Sequence, residues 1–348
     1  MRFIDFRSDT VTEPTPAMLR SMVDAVVGDD VYDDDPTVNK LQEIAAKKLG
    51  KEASLFVPSG TFGNQVAIIT HTSRGDEVLI PENNHIVLYE VGAPAVISGV
   101  GLRLIRSDNG KINIRELEKK FRVDDIHFPR TGLICTENAH SDGKVVPVSN
   151  MEEVYLFSVD RGVPLHLDGA RIFNAAAYLG IDATAITKYC DSVMVCLSKG
   201  LCSPVGSILA GSREFVDRAR KNRKMMGGGM RQAGYLAAPG IISLEEMTER
   251  LKDDHDTAAY FADCLEETGY FKVDRKRLDI NMVFCRILKE DFDQEKMMKY
   301  LSANMIKINP LHEGELRFVT HYWIDREKAR HTARTFKKFF SQKYHLFL

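Results

Sequence analysis

Short apolar runs of strand length alternate with helical patterns over the first two thirds of the chain. Five such runs lie at 53–58, 77–81, 132–136, 164–167 and 192–197. Apolar runs of this length, bounded by turn residues, are typical of buried strands. Helical patterns occur at 16–27, 38–49, 65–72 and 213–224. This alternation predicts an α/β domain with a mainly parallel sheet.

The pattern changes at about residue 243. It continues as a long charged helix at 244–268, short strands near 271–273 and 281–287, a helix at 291–303, a strand at 315–320 and a helix at 326–340. A mixture of short strands and helices is typical of an α+β fold. The sequence therefore predicts a large α/β domain, 1–242, and a small C-terminal α+β domain, 243–348.

The composition favours an enzyme that acts on a small molecule. The 348 residues carry a formal net charge of −2, whereas nucleic-acid or anionic-membrane binding calls for a strongly basic face. The longest uncharged apolar stretch, 91–102, is far shorter than the roughly 20 residues of a membrane span. Six cysteines without CxxC spacing favour reduced thiols in a cytoplasmic protein.

An acid and a lysine follow two of the predicted strands. Asp168 comes directly after 164–167, and Lys199 stands between Ser198 and Gly200 just after 192–197. Ligands of parallel α/β sheets bind at the carboxyl ends of the strands, so both side chains would face one crevice. Pyridoxal phosphate needs a lysine for its Schiff base and a carboxylate at its ring nitrogen. A helix cap and a surface lysine would be the simpler interpretation, but it does not explain the small neighbours of Lys199.

The turn after the run 53–58 could bind the phosphate of such a cofactor. Ser59, Gly60 and Thr61 lead from a strand into a helix, where free backbone N–H groups and the helix dipole attract an anion. The turn has neither the Walker nor the GxGxxG spacing, so alone it is weak evidence. The acidic run 29–35 is a better candidate for a helix entry than for a metal site, because Asp35 and Pro36 suit the N-cap and first helical positions.

With these residues in view, the chain resembles the threonine aldolase branch of the β-eliminating lyases, which are fold-type I pyridoxal phosphate enzymes. The motifs that carry the resemblance are His166-Leu-Asp168-Gly-Ala-Arg171, Ser198-Lys199-Gly200 and, near the start, Arg7-Ser8-Asp9-Thr10. The resemblance covers most of the chain. It departs from the family pattern at Asp33-Asp34, where Gly-Glu is usual, and at Ala139 and Ser141.

The resemblance also implies roles for individual residues. Asp168 and Lys199 would bind the cofactor ring, with Ser59, Gly60 and Thr61 at its phosphate. Further cofactor contacts would come from His85, Arg171, Lys224 and Arg231, and substrate contacts from Ser8, Tyr32, His127, Arg171 and Arg317. The resemblance implies a homotetramer, a dimer of dimers, in which Lys224 and Arg231 reach the phosphate of a neighbouring subunit.

The implied reaction is cleavage of an L-β-hydroxy-α-amino acid, such as threonine, into glycine and an aldehyde. His85 or His127, directly or through water, would remove the β-hydroxyl proton. Three alternatives remain open from the sequence: β-elimination from an aromatic or sulfur amino acid, transamination, and a cofactor-binding regulator without activity. The preference between threonine and allo-threonine depends on geometry that the sequence does not specify.

Overall fold

The computed structural model describes residues 2–341. Its contacts divide the chain into a larger unit, Glu13–Glu249, and a smaller unit that combines Met1–Thr12 with Arg250–Leu348. This differs from the predicted boundary after residue 242 and from the placement of the N-terminus in the large domain. The reason is a strand pairing: Ile4–Asp5 lies parallel to Ile306–Lys307, which ties the N-terminus to the C-terminal part of the chain.

The larger unit is built on a seven-stranded sheet. Its strands are β1 (Ala53–Val57), β2 (Glu77–Pro81), β3 (Gly101–Ile105), β4 (Thr131–Glu137), β5 (Leu165–Asp168), β6 (Ser192–Cys196) and β7 (Ser207–Gly211). They lie in the order β1-β7-β6-β5-β4-β2-β3. Only β7 runs antiparallel to its neighbours in this sheet. All strands except β3 are buried along their whole length, which explains their continuous apolar runs.

Helices cover this sheet. They are α1 (Pro16–Val23), α2 (Pro36–Lys48), α3 (Gly60–His71), α4 (His85–Tyr89), α5 (Ile114–Lys120), α6 (Val148–Asp160), α7 (Ile172–Leu179), α8 (Thr184–Thr187), α9 (Arg213–Met225) and α10 (Gly234–Ile242). Asp35 caps α2 as predicted, because its carboxylate accepts from the N–H groups of Thr37 and Val38. Helix α3 begins five residues earlier than predicted, because Ser59 already serves as its N-cap.

The smaller unit packs helices on a three-stranded antiparallel sheet. The strands are β8 (Phe271–Val273), β9 (Met282–Ile287) and β10 (Leu316–Val319), and the helices are α11 (Leu251–Glu266), α12 (Gln294–Ala303) and α13 (Arg326–Ser341). Its core includes Phe6, whose ring stacks on Phe261 with centroids 4.6 Å apart. In residues 2–341 no helix has the length and apolar character needed to cross a bilayer.

The predicted single helix at 244–268 is two elements. A π-helical turn, Ser243–Met247, lies near the end of the larger unit, and α11 begins only at Leu251. The hydroxyl of Ser243 donates to the carbonyl of Leu201 at 2.7 Å and lies 2.8 Å from the hydroxyl of Ser203. These side-chain hydrogen bonds fix the turn within the larger unit, while the residues from Arg250 onward belong to the smaller one.

Candidate active site

Asp168 and Lys199 lie at the carboxyl ends of adjacent parallel strands. Asp168 is the last residue of β5 and pairs in register with Met194 of β6. Lys199 follows β6 by three residues, in a turn where its carbonyl accepts from the N–H of Cys202 at 2.9 Å. The structure therefore places both residues at the same edge of the sheet, as the strand-length runs predicted.

Asp168 is buried and oriented by neutral donors. Its side chain is 1% exposed; Oδ2 accepts from Nδ2 of Asn64 at 2.8 Å, and Oδ1 accepts from the N–H of Ala170 at 3.1 Å. Neutral donors stabilise a carboxylate without cancelling its charge. The chemistry of this carboxylate fits a partner that brings a positive charge, such as the protonated ring nitrogen of pyridoxal phosphate.

His85 begins helix α4 and is held by two carboxylates. Its N–H donates to Oε2 of Glu137 at 2.8 Å, and its Nδ1 lies 3.2 Å from Oε1 of Glu90. Burial alone would lower the pKa of His85, but the hydrogen bond with Glu90 and the charge of Asp168 outweigh it and raise the pKa. The ammonium of Lys199 opposes this rise. The charges of Asp168 and Lys199 thus both reach His85, which places the three residues in one site.

Glu90 was not among the residues chosen from the sequence, although the structure gives it a central place. It is 1% exposed and accepts from Nδ2 of Asn64 at 2.9 Å and from Nε2 of Gln65 at 2.6 Å, in addition to its contact with His85. A ring nitrogen of His85, a carboxylate oxygen of Glu90 and a carboxylate oxygen of Asp168 all lie within 4.8 Å of one another. The amide of Asn64 contacts both carboxylates of this group.

The start of α3 has the features of a phosphate cradle. The hydroxyl of Ser59 accepts from the N–H of Phe62 at 3.2 Å. The N–H groups of Gly60 and Thr61 lie in the first turn, where the helix itself offers them no carbonyl acceptor. A Cβ atom at Gly60 would come within 2.7 Å of Sγ of Cys196, the last residue of β6. The glycine therefore lets the helix start approach the strand end that leads to Lys199, and these residues fit the group predicted from the sequence.

The glycine-rich loop after α9 packs on the same helix start. A Cβ atom at Gly228 would come within 2.3 Å of the ring of Phe62. Lys224 lies in the last turn of α9, before this loop, and Arg231 follows the loop. The guanidinium of Arg231 pairs with the carboxylate of Asp29 of the same chain at 2.9 Å.

Tyr32 is carried by a short 3-10 helix, Asp30–Tyr32, and its side chain is exposed. This segment is fixed by arginines of α9. Arg223 is buried and donates to Oδ2 of Asp30 at 2.6 Å, and Arg220 donates to the carbonyl of Asp30 at 2.7 Å. Arg220 also pairs with Asp33, which adopts a left-handed conformation with φ 65°. Asp33 therefore occupies a position that favours the glycine usual in the family.

The other predicted residues lie as follows. Arg171 is buried and directly precedes α7, in the N-cap position. His127 lies in an exposed turn, where its N–H donates to Asp125 at 2.9 Å. Among the described residues, no hydrogen bond or ion pair links His127 to Asp168, His85 or Lys199.

Ser8 and Arg317 belong to the smaller unit. Ser8 caps the 3-10 helix Asp9–Val11, accepting from the N–H of Thr10 at 3.2 Å. Arg317 lies in β10, and its Nη2 donates to the carbonyl of Arg7 at 3.4 Å. Because burying an arginine without a polar partner is costly, this hydrogen bond helps to accommodate Arg317 in an apolar strand.

The residues that sequence reasoning missed share one signal. Glu90, Glu137 and His166 are polar residues within or directly after apolar segments, Asn64 lies just before one, and all four are buried. Burying such groups is costly unless they are hydrogen-bonded, so each predicts a partner elsewhere in the chain. The identity of that partner appears only in the fold.

Comparison with known proteins gives consistent results. A family model described as β-eliminating lyase matches residues 5–287. The low specificity L-threonine aldolase of Escherichia coli (strain K12) is 44% identical over 340 residues, 97% of this chain and 100% of that protein. Low-specificity L-threonine aldolase 1 of Arabidopsis thaliana is 40% identical, over 97% of this chain and 96% of that protein.

Two solved structures show the same fold. The threonine aldolase of Leishmania major aligns with a TM-score of 0.82 at 19% identity, covering 97% of this chain and 99% of that one. A structure of SPT with a PLP internal aldimine aligns with a TM-score of 0.76 at 15% identity, covering 97% of this chain and 87% of that one. At such identities the likeness concerns the fold alone.

Proposed function

Since the chain belongs to the β-eliminating lyase family, we propose that it is a pyridoxal phosphate-dependent carbon–carbon lyase that cleaves L-threonine and L-allo-threonine to glycine and acetaldehyde. Related β-hydroxy-α-amino acids would give glycine and the corresponding aldehyde. The observation that carries the proposal is the placement of Asp168 and Lys199 at the carboxyl ends of the adjacent parallel strands β5 and β6.

The cofactor contacts follow from the chemistry of the donors. Lys199 is the residue for covalent attachment, Asp168 would hold the ring nitrogen, and Ser59, Gly60 and Thr61 would hold the phosphate. His85 is assigned to the face of the ring, and Arg171 to its phenolic oxygen or to the substrate. When bound, pyridoxal phosphate supplies an electron sink for the negative charge that develops at Cα of the substrate.

The reaction needs a fixed carboxylate, a base and an acid. Ser8, Arg171 and Arg317 are assigned to the substrate carboxylate from the family resemblance, because holding it orients the bond from Cα to Cβ. Tyr32 is assigned to the substrate side chain. His85 or His127, directly or through water, takes the β-hydroxyl proton as the Cα–Cβ bond breaks and the aldehyde leaves, and Cα then takes up a proton to give glycine.

The assembly proposed from the resemblance is a homotetramer whose active sites are shared between subunits through Lys224 and Arg231. Mixing a Lys199→Ala protein with an Arg231→Ala protein tests it, because subunit exchange would regenerate complete sites and restore part of the activity. If the two variants exchange subunits and the mixture stays inactive, the proposal that active sites are shared between subunits is wrong. The proposed location is the cytoplasm, where the six free cysteines stay reduced.

The direct test measures aldehyde release with coupled alcohol dehydrogenase, giving L-threonine and L-allo-threonine separately to the cofactor-loaded protein. Aldehyde from either substrate supports the proposal, and the ratio of rates gives the preference at Cβ. Lys199→Ala should abolish release, whereas turnover at the wild-type rate would refute the assignment of Lys199. Pyruvate and ammonia in place of aldehyde would instead establish β-elimination, and keto-acid formation would establish transamination.

The base is identified by comparing His85→Asn with His127→Asn. Loss of the base should remove the fall of kcat at low pH, because that fall reports protonation of the group that takes the β-hydroxyl proton. If a variant keeps the fall of kcat at low pH, the histidine that it lacks is a positioning residue and not the base. If both variants keep this fall, the base is neither of the two histidines.

A further inference from the structure

A chain of hydrogen bonds, most of them buried, runs from the last residue of α3 to Asp168. It comprises His71, Ser192, His166 and Asn64, which come from α3 and from the adjacent strands β5 and β6. His166 and Ser192 are register partners across these two strands, and His166, Ser192 and Asn64 are fully buried. Neither the proposed mechanism nor the family resemblance gives these four residues a role.

The donor and acceptor at each step can be assigned from Asn64 outward. Its Nδ2 lies 2.8 Å from Asp168 and 2.9 Å from Glu90, and carboxylates only accept, so both amide hydrogens are used there. Its Oδ1 therefore faces Nε2 of His166, 3.1 Å away. An amide oxygen only accepts, so Nε2 of His166 carries a hydrogen.

The rest of the chain follows from the neutral state of the two histidines. Burial lowers the pKa of His166 to about 4, so at neutral pH its Nδ1 has no hydrogen and accepts from the hydroxyl of Ser192 at 2.9 Å. The oxygen of Ser192 in turn accepts from Nε2 of His71 at 2.8 Å, and burial lowers the pKa of His71 to about 3. Every donor in the chain thus points toward Asp168.

We propose that Asn64 is a positioning residue for the cofactor: held by His166, Ser192 and His71, its amide donates to Asp168 and to Glu90, so that the proton between Asp168 and the ring nitrogen stays on the ring. Hydrogen bonds to a carboxylate stabilise its charged form and make it a weaker base. The amide also separates two carboxylates that would otherwise repel each other. The same amide also holds Oε1 of Glu90, the oxygen that faces Nδ1 of His85.

This inference rests on pyridoxal phosphate as the cofactor but not on the reaction performed. The suitable probe is deoxypyridoxine 5′-phosphate labelled with ¹⁵N in the ring. It has no aldehyde and so cannot bond to Lys199, and its ring nitrogen reports protonation directly by NMR. The full-length protein freed of cofactor serves for both the binding titration and the spectra.

A matched pair of variants separates positioning from simple packing. In His166→Gln the side-chain amide can still donate at the place of Nε2, whereas in His166→Asn the amide corresponds to Nδ1 and the donor to Asn64 is lost. Asn64→Leu removes both donors to the carboxylates at similar volume. The expected result is a protonated ring in the wild type and in His166→Gln, and a shift toward the unprotonated ring in His166→Asn and Asn64→Leu.

Asn64→Leu should bind the probe about tenfold to a hundredfold more weakly, as expected for a lost hydrogen bond to a charged group. His166→Asn should also bind the probe more weakly, because Asn64 loses the donor that orients its amide. A protonated ring with wild-type affinity in both would overturn the proposal, as would equal behaviour of His166→Gln and His166→Asn. If Asn64→Leu does not fold, the His166 pair decides. No binding of the probe by the wild type would overturn it together with the cofactor assignment, whereas binding without aldehyde release would refute only the proposed reaction.

Discussion

Two buried aspartates of the larger unit, Asp168 and Asp30, are held in different ways. Asp168 accepts from an amide and a backbone N–H, both neutral, whereas Asp30 accepts from the guanidinium of Arg223. Both aspartates are at most 2% exposed. The charge of Asp30 is thus balanced inside the chain, while the charge of Asp168 is stabilised and remains available to a bound cation.

The electrostatic consequences differ in the same way. Burial raises the pKa of Asp30 more than the charge of Arg223 lowers it, and burial lowers the pKa of Arg223. A buried ion pair of this kind fixes the geometry of a segment, here the one that carries Tyr32. Asp168 instead raises the pKa of His85. The two aspartates thus differ in whether a guanidinium of the chain balances the charge of the carboxylate.

The largest expected effect separates the two aspartates by activity. Asp168→Asn removes the charge that faces the ring nitrogen; at about 4 Å and an effective dielectric near 20 this is worth about 4 kcal/mol, or roughly a thousandfold in kcat/KM. Asp30→Asn should leave kcat/KM of the folded, cofactor-loaded enzyme within severalfold of wild type. Aldehyde-release kinetics on both proteins measure this. Equal losses in the two variants would contradict the distinction.

The second prediction concerns stability, for which the ion pair of Asp30 should matter. Arg223→Met leaves Asp30 buried without its cation, which should lower the free energy of unfolding by roughly 3–5 kcal/mol. The double variant with Asp30→Asn should recover part of this loss, because the uncompensated charge is gone. Urea unfolding of the cofactor-free proteins measures both. An Arg223→Met protein as stable as wild type would show that the pair contributes nothing.

The third prediction concerns acid stability near Asp168. The pKa of His166 is lowered to about 4, whereas in the unfolded chain it is about 6.5. The unfolded state therefore binds the proton first, and the stability that is present above pH 6.5 is lost as the pH falls toward 4, by about 3 kcal/mol for this residue. Unfolding at pH 7, 6 and 5 should show a steeper fall for wild type than for His166→Gln. Parallel curves would mean that His166 titrates normally.

The smallest effect is expected at Asp33, on the exposed edge of the Asp30 region. Asp33→Gly relieves the left-handed backbone but loses the pair with Arg220, and the two changes should cancel to within about 0.5 kcal/mol. Asp33→Ala loses the pair and keeps the strain, so it should be less stable than Asp33→Gly by about 1 kcal/mol. Thermal unfolding of the two variants side by side tests this order. A more stable alanine variant would contradict the backbone argument.

Residues whose roles depend on local chain position could be predicted from the sequence. Asp168 and Lys199 were placed by the apolar runs that precede them, and Asp35 by its neighbour Pro36. The division into units was less accurate, because the pairing of Ile4–Asp5 with Ile306–Lys307 joins distant parts of the chain. The roles of Lys199, His85, His127 and the carboxylate contacts stay predictions until the variants are measured.

The sequence by itself determined the buried strands of the sheet, the acid and the lysine at their carboxyl ends, and the helix start beside them, because each follows from residues adjacent in the chain. Only the tertiary structure decided how the carboxylates are held. Asn64 meets Asp168 across 104 positions, and Arg223 meets Asp30 across 193. A buried polar residue needs a hydrogen-bond partner, but the identity of that partner depends on how the helices pack on the sheet.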